Sequence, residues 1–200
     1  MKQRPVIDAS ELPTYGFGPS TPMWWGTLAF VALEGMGFAL AAGSYLYLAY
    51  LAPEWPLEAP PPRLGPGTIV TLLLIASVIP NMLVSRWAEK EDLRKVRIGL
   101  VVMSAFGVAP LVARIFEFGA VEVMWDDNAY GSVVWFILGL HTAHLLTDLG
   151  DTLILAVLMF TRHAKNGKRF SDVSDNAFYW NFVVLSWLPL YLLIYWMPRW

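Results

Sequence analysis

Long apolar runs separated by short polar stretches dominate the chain. Crossing a bilayer core of about 30 Å takes roughly 20 helical residues. Five runs meet that length, and they predict membrane helices over 23–51, 68–87, 96–118, 131–160 and 176–197. The first and fourth are longer than needed, which predicts tilt or protrusion. Pro80 and Pro110 fall inside the second and third runs. Each removes a backbone hydrogen bond and predicts a local kink. The first connection, 52–67, contains Pro60-Pro61-Pro62 and reads as extended. Residues 1–22 are polar and rich in Pro and Gly, without a short apolar core and cleavage site, and read as an N-terminal tail. No internal repeat is visible. The expected fold class is all-α, one integral membrane bundle of five transmembrane helices with no soluble domain.

Composition supports that pattern. The 200 residues are 56% hydrophobic and only 15% charged, with mean hydropathy +0.50. Soluble domains carry about 25% charge. The absence of cysteine excludes disulfides, thiolate metal sites, iron–sulfur clusters and thioether-linked haem. The net charge of −2 says little, but its distribution says more. Eleven of the 14 Lys and Arg lie in the N-terminal tail, the second connection with its flanking Arg86 and Arg97, and the fourth connection, on one side of the bundle. Only Arg63 and Arg199 lie on the other side, and Arg114 is inside the third helix. This asymmetry places the N-terminus in the cytoplasm and the C-terminus outside. Trp24, Trp25, Trp87, Trp125, Trp135, Trp196 and Trp200 lie near predicted helix ends, as interfacial belts do. No phosphate-binding loop, dinucleotide fingerprint or nucleophile elbow occurs, and nothing points to nucleic acid.

The chemistry resides in the polar residues inside the runs. Glu34 stands alone near the middle of the first helix. A carboxylate at that depth costs roughly 2.5–3.5 kcal/mol or more to insert. It is either a buried group bonded to a neighbouring helix or a proton-exchanging group. On the fourth helix, His141, His144, Asp148 and Asp151 fall at roughly 0°, 300°, 340° and 280°, within an arc of about 80° and over about 15 Å of axis. Such a stripe faces another helix or a wet cavity rather than lipid. A buried hydrogen-bond network, a proton path and a metal site all remain open for it, although this His and Asp spacing matches no recognised metal motif. Arg114 and Glu117 lie one turn apart on the third helix, and either pair with each other or leave Arg114 reaching for a lipid phosphate. Glu122, Asp126 and Asp127 make the third connection acidic. His163, in the fourth connection, reads as a solvated or headgroup contact.

Several ordered segments resemble subunit III of the haem–copper oxidases, the cytochrome c and quinol oxidase family. Trp24-Trp25-Gly26 followed by Ala32-Leu33-Glu34-Gly35-Met36-Gly37-Phe38 is similar to that family's segment with one buried glutamate and a following phenylalanine. Pro53-Glu54-Trp55-Pro56, Asn81 and the turn at 89–95 fit its next loop, helix and turn. Glu117 matches a glutamate at the end of its third helix. Tyr130-Gly131-Ser132, Gly139-Leu140-His141-Thr142-Ala143-His144 and Tyr179-Trp180-Asn181-Phe182-Val183 with Trp187 and Tyr195-Trp196 follow in the family's order. Two departures mark a divergent five-helix form. The family's His-Phe-Val-Asp is Asn181-Phe182-Val183-Val184 here, and Asp148 stands where the family has glycine, with Asp151 added.

The resemblance implies a non-redox accessory subunit of a terminal respiratory oxidase in a bacterial inner membrane. It implies packing beside catalytic subunit I, with subunit II a further partner. Haem and copper would be held by those partners, and this chain would hold only bound phospholipid. It implies that Glu34 is the family's reactive buried carboxyl and supports proton uptake, within a polar set of Glu34, Glu117, His141, His144, Asp148 and Asp151. Arg63, Arg86 and Arg114 are the lipid-headgroup candidates. The alternatives are an accessory subunit of a nitric oxide reductase and a free-standing ion or proton transporter.

Overall fold

The computed structural model describes residues 15–57, 59–165 and 167–199, and the N-terminal tail expected over 1–22 lies mostly outside them. Five helices follow in order: α1 Pro22–Leu51, α2 Leu64–Glu89, α3 Leu93–Phe118, α4 Ala129–Phe160 and α5 Lys168–Tyr191. All five are long and apolar enough to cross a membrane, and no strand occurs among the described residues. The chain is therefore an all-α, multi-pass membrane protein.

Local chemistry sets the helix starts. Thr21 caps α1 by accepting from the Trp24 amide, with proline in the first turn. Asp92 accepts from the Lys95 amide to open α3, and Asn128 accepts from the Gly131 amide to open α4. These caps lie two to four residues before the hydrophobic runs, so α3 and α4 begin earlier than hydropathy predicts. α2 begins at Leu64 and takes up the end of the connection expected to be extended. α5 departs most, starting eight residues before 176. Its first two turns are amphipathic, burying Phe170 and Val173 while carrying Lys168, Arg169 and Asp172. A hydropathy pattern misses such a helix because half its surface is polar. α2 and α3 run through Pro80 and Pro110. α5 runs through Pro189 and then widens into a π turn, Leu192–Trp196, and a 3-10 turn, Met197–Arg199.

α2, α3, α4 and α5 form a closed ring of neighbours, and α1 docks outside it, chiefly against α4 and α5. A polar ladder joins α2 to α5, its positions falling along one helix as they rise along the other. Thr68 and Tyr191 share a hydroxyl bond of 2.8 Å, and the Trp187 indole N–H donates to Thr71 Oγ1 at 2.8 Å. The Trp180 indole donates to Ser77 Oγ at 2.8 Å, and Asn81 Nδ2 donates to the Ala177 carbonyl at 2.8 Å. Interhelical bonds in membranes average only about 0.6 kcal/mol. The ladder therefore fixes register more than it supplies stability. Outside the ring, α1 exposes Leu33, Met36, Leu40, Tyr47 and Tyr50, an apolar face suited to lipid or another subunit.

Candidate functional site

The stripe on α4 does not form one network. It divides into three parts, because successive turns of α4 meet different neighbours.

The first part links α1, α4 and α5. Glu34 Oε2 accepts from the Tyr179 hydroxyl at 2.6 Å, and Glu34 Oε1 lies 3.4 Å from His144 Nε2. His144 Nδ1 is 2.7 Å from the Leu140 carbonyl. A carbonyl only accepts, so Nδ1 carries a proton and donates. Nε2 therefore faces Glu34 as a bare lone pair or as the second N–H of an imidazolium. Two bare lone pairs facing each other would repel. One proton placed on Glu34 Oε1 or on His144 Nε2 turns the 3.4 Å approach into an attraction. In both forms the pair is net neutral, which lowers the cost of a carboxyl at this depth. Phe38, one turn beyond Glu34, packs on His144 with ring centroids 4.6 Å apart and closes the site on that side.

A cleft of about 620 Å³ leads to this pair. Its walls come from the first half of α1, the second half of α4 and the first half of α5, so it runs from the end of the bundle carrying the α4–α5 connection up to Glu34. Met23, Phe30 and Ile154 line it with apolar surface, while Asp151, Lys168 and Asp172 line it with charge. Asp151 is exposed there. Arg169 Nη1 pairs with Asp172 Oδ2 at 2.7 Å, leaving acidic and basic groups both represented at the mouth.

The second part lies deeper in the ring. Arg114, with its side chain 1% exposed, donates from Nη1 to Glu117 Oε2 at 2.6 Å and from Nη2 to His141 Nδ1 at 2.8 Å. Arginine has no acceptor, so His141 Nδ1 accepts and its Nε2–H donates to the Val183 carbonyl, 3.0 Å away. Both imidazole nitrogens are thus committed in the neutral ring, and His141 has no free position for a second proton. The Tyr195 hydroxyl donates to Glu117 Oε1 at 2.5 Å, and the Arg114 guanidinium stacks 4.1 Å from the Trp187 ring centroid. Gly67 makes this possible. A Cβ there would collide with the Tyr195 ring, so only glycine lets Tyr195 cross α2 to reach Glu117. This cluster binds α3, α4 and α5 together and does not touch Glu34.

The third part is Asp148. It is fully buried, and neither carboxyl oxygen has a hydrogen-bond partner among the described residues.

The lipid-headgroup candidates also separate. Arg114 is corrected: it is sealed inside the bundle by Glu117, His141 and Trp187, so no headgroup reaches it. Arg63 is exposed but pairs with Glu122 at 2.6 Å, joining two connections at the opposite end from the cleft mouth. Arg86 is exposed in the last turn of α2. Of His163 only the backbone, in the turn Arg162–Lys165, is described. Among the described residues no three of His, Asp and Glu converge as metal ligands.

Sequence reasoning missed Tyr179, Tyr195 and Trp187 as partners of the ionisable groups. Each reads as another aromatic in a tryptophan- and tyrosine-rich membrane chain. The available signal was the need of any buried carboxyl for donors, in a chain whose last apolar run, 176–197, is the richest in phenol and indole groups.

Comparison with known proteins supplies the family. Residues 23–199 match the family model for cytochrome c oxidase subunit III. A cytochrome c oxidase subunit 3 from Thermostichus vulcanus is 27% identical over 176 residues, covering 87% of each chain. One from Synechocystis sp. is 27% identical over 177 residues, covering 86% of this chain and 74% of the relative. One from Alkalihalophilus pseudofirmus is 25% identical over 175 residues, covering 84% of this chain and 83% of the relative. With a match that begins one residue into α1 and ends in the last turn, the chain belongs to the cytochrome c oxidase subunit III family.

Proposed function

We propose that this chain, an accessory subunit III of a haem–copper oxidase, supports proton uptake through Glu34 while it stabilises the catalytic subunit during oxygen reduction. The observation that carries this reading is the approach of His144 Nε2 to within 3.4 Å of Glu34 Oε1, with Glu34 itself lining the cleft. Moving a proton between Oε1 and Nε2 would leave the net charge of the pair unchanged, so such an exchange costs little deep in apolar surroundings. Tyr179 holds Glu34 in place through Oε2 and leaves Oε1 for exchange. Asp151 and the charged residues at the mouth supply proton donors and acceptors along the cleft. His141 plays no part in the relay and, with Arg114 and Glu117, binds helices together.

In the same proposal the chain lies in a bacterial inner membrane with the cleft mouth toward the cytoplasm. It packs against subunit I, with subunit II nearby. Haem and copper reside in those partners and carry the redox chemistry there. Phospholipid covers the exposed apolar faces, and Arg86 contacts headgroups.

Glu34→Gln tests the proton role. Glutamine keeps an oxygen to accept from Tyr179 and an N–H₂ to donate to His144 Nε2, so the geometry survives while the exchangeable proton is lost. In the assembled oxidase the variant should keep its haem spectrum and subunit content, but take up protons more slowly and lose activity sooner during turnover. Unchanged uptake and unchanged lifetime would make Glu34 a static interhelical bond and overturn the proposal.

A further inference from the structure

A second groove lies between the start of α3 and the end of α4, away from the Glu34 cleft. Leu93, Arg94, Arg97, Ile98 and Phe160 line it, and it measures about 410 Å³. Arg94 and Arg97 are one turn apart on α3 and share a face. Arg97 is held in place from two sides. Its Nε donates to the Met159 carbonyl at 2.7 Å, and its guanidinium carbon lies 5.3 Å from the centroid of the Phe160 ring. The Met159 carbonyl belongs to the last turn of α4, where no intrahelical amide remains to satisfy it. Arg97 thus caps α4 with one N–H, leaving both terminal nitrogens for another acceptor. Neither Arg94 nor Arg97 meets a carboxylate among the described residues, and the nearby Asp92 is occupied by Lys95 at 2.7 Å. From the groove toward mid-bundle, Ile98, Val101 and Val157 continue an exposed apolar face.

The fixed guanidinium of Arg97 and the exposed Arg94 one turn away meet at the groove, and an apolar track leads away from them. We propose that this groove binds one anionic phospholipid, its phosphate on Arg94 and Arg97 and its acyl chain along Ile98, Val101 and Val157. Arginine suits this role because its fork donates to two phosphate oxygens at once. The pre-set geometry of Arg97 means that little of its side-chain freedom remains to be lost on binding. The proposal deepens the lipid-binding part of the function above and rests on it, but is independent of Glu34.

The test uses the assembled oxidase, stripped of lipid in detergent and titrated with phosphatidylglycerol, with bound lipid counted by native mass spectrometry. Arg94→Gln leaves the Arg97 cap intact, so assembly and haem spectrum serve as its folding control. Arg97→Gln removes the cap as well, and Lys90→Gln, at an exposed position outside the groove, is the comparison at another basic residue. Wild type should bind one phosphatidylglycerol that Arg94→Gln and Arg97→Gln bind about fivefold more weakly. Lys90→Gln should match wild type, and phosphatidylcholine should bind more weakly. Equal binding by wild type and Arg94→Gln overturns the site while leaving lipid binding elsewhere standing. Displacement by soluble glycerol phosphate overturns the lipid assignment in favour of a free anion. Failure of every form to retain lipid overturns the lipid-binding reading itself.

Discussion

Replacing Glu117 with glutamine tests the deepest electrostatic feature of the bundle. The substitution keeps volume and an acceptor for Tyr195, so it opens no cavity. It removes the negative charge 2.6 Å from Arg114 Nη1, in a pair whose side chains are 1% and 0% exposed. Arg114 then has only the neutral His141 ring at 2.8 Å and the Trp187 face at 4.1 Å. The stacking contributes about 2 kcal/mol when desolvated, and it is present before and after the change. It limits the damage without replacing the lost charge. Breaking a buried pair from one side costs about 3–5 kcal/mol. Glu117→Gln should fall at the lower end of that range. Replacing both partners, Arg114→Met with Glu117→Leu, should cost less than the single change, because no orphaned charge remains. Unfolding of the purified complex in increasing denaturing detergent, followed by helical circular dichroism, measures both. A single variant within about 0.5 kcal/mol of wild type would refute the reasoning, as would a double variant worse than the single.

Three further outcomes follow from the geometry. Gly67→Ala should cost about 1–3 kcal/mol by overpacking, and because it displaces Tyr195, adding Tyr195→Phe should cost much less than in wild type. A double-mutant cycle on detergent stability reads that coupling, and full additivity would contradict it. Asp148→Ala should be no less stable than wild type, since it removes two buried oxygens without a partner among the described residues; a loss above about 2 kcal/mol would contradict this. At the α2–α3 turn, the Lys95 side chain and amide hold the Asp92 carboxyl below its ordinary value. A depressed carboxyl stabilises the fold above its unfolded value and loses that contribution as pH falls through the lowered one. The thermal penalty of Asp92→Ala should therefore be full above about pH 4 and disappear only as pH falls on through the lowered value.

Much of the fold is legible in hydropathy alone, because five apolar runs in lipid admit little besides five helices. Three of the helix starts carry a side-chain cap, at Thr21, Asp92 and Asn128, while α2 and α5 start without one. α5 extends further than its apolar run because its first turns bury only one face. The candidate site was legible as a set of costly residues but not as a set of contacts. Helical phase placed His141 and His144 on one side of α4, yet a rotation of about 60° between them is enough to send one to Arg114 and the other to Glu34. Which neighbour each meets depends on where α1 docks, and no local pattern encodes that. Arg114 looked like a lipid contact because one turn from a helix end is where arginine snorkels. Its burial follows from Gly67, which lets Tyr195 close over Glu117. The choice between an oxidase subunit and a free-standing transporter rested on neither, since a buried carboxyl with a histidine suits both. The family match decides it.

The most direct test of the central claim is purification of the tagged chain in mild detergent, read by visible absorption and mass spectrometry of each subunit. An accessory subunit that depends on partners for redox chemistry should copurify with a large polytopic haem protein, and lose all visible absorption when separated from it. A chain that runs alone under conditions preserving complexes, or that keeps a haem spectrum after separation, would contradict the claim.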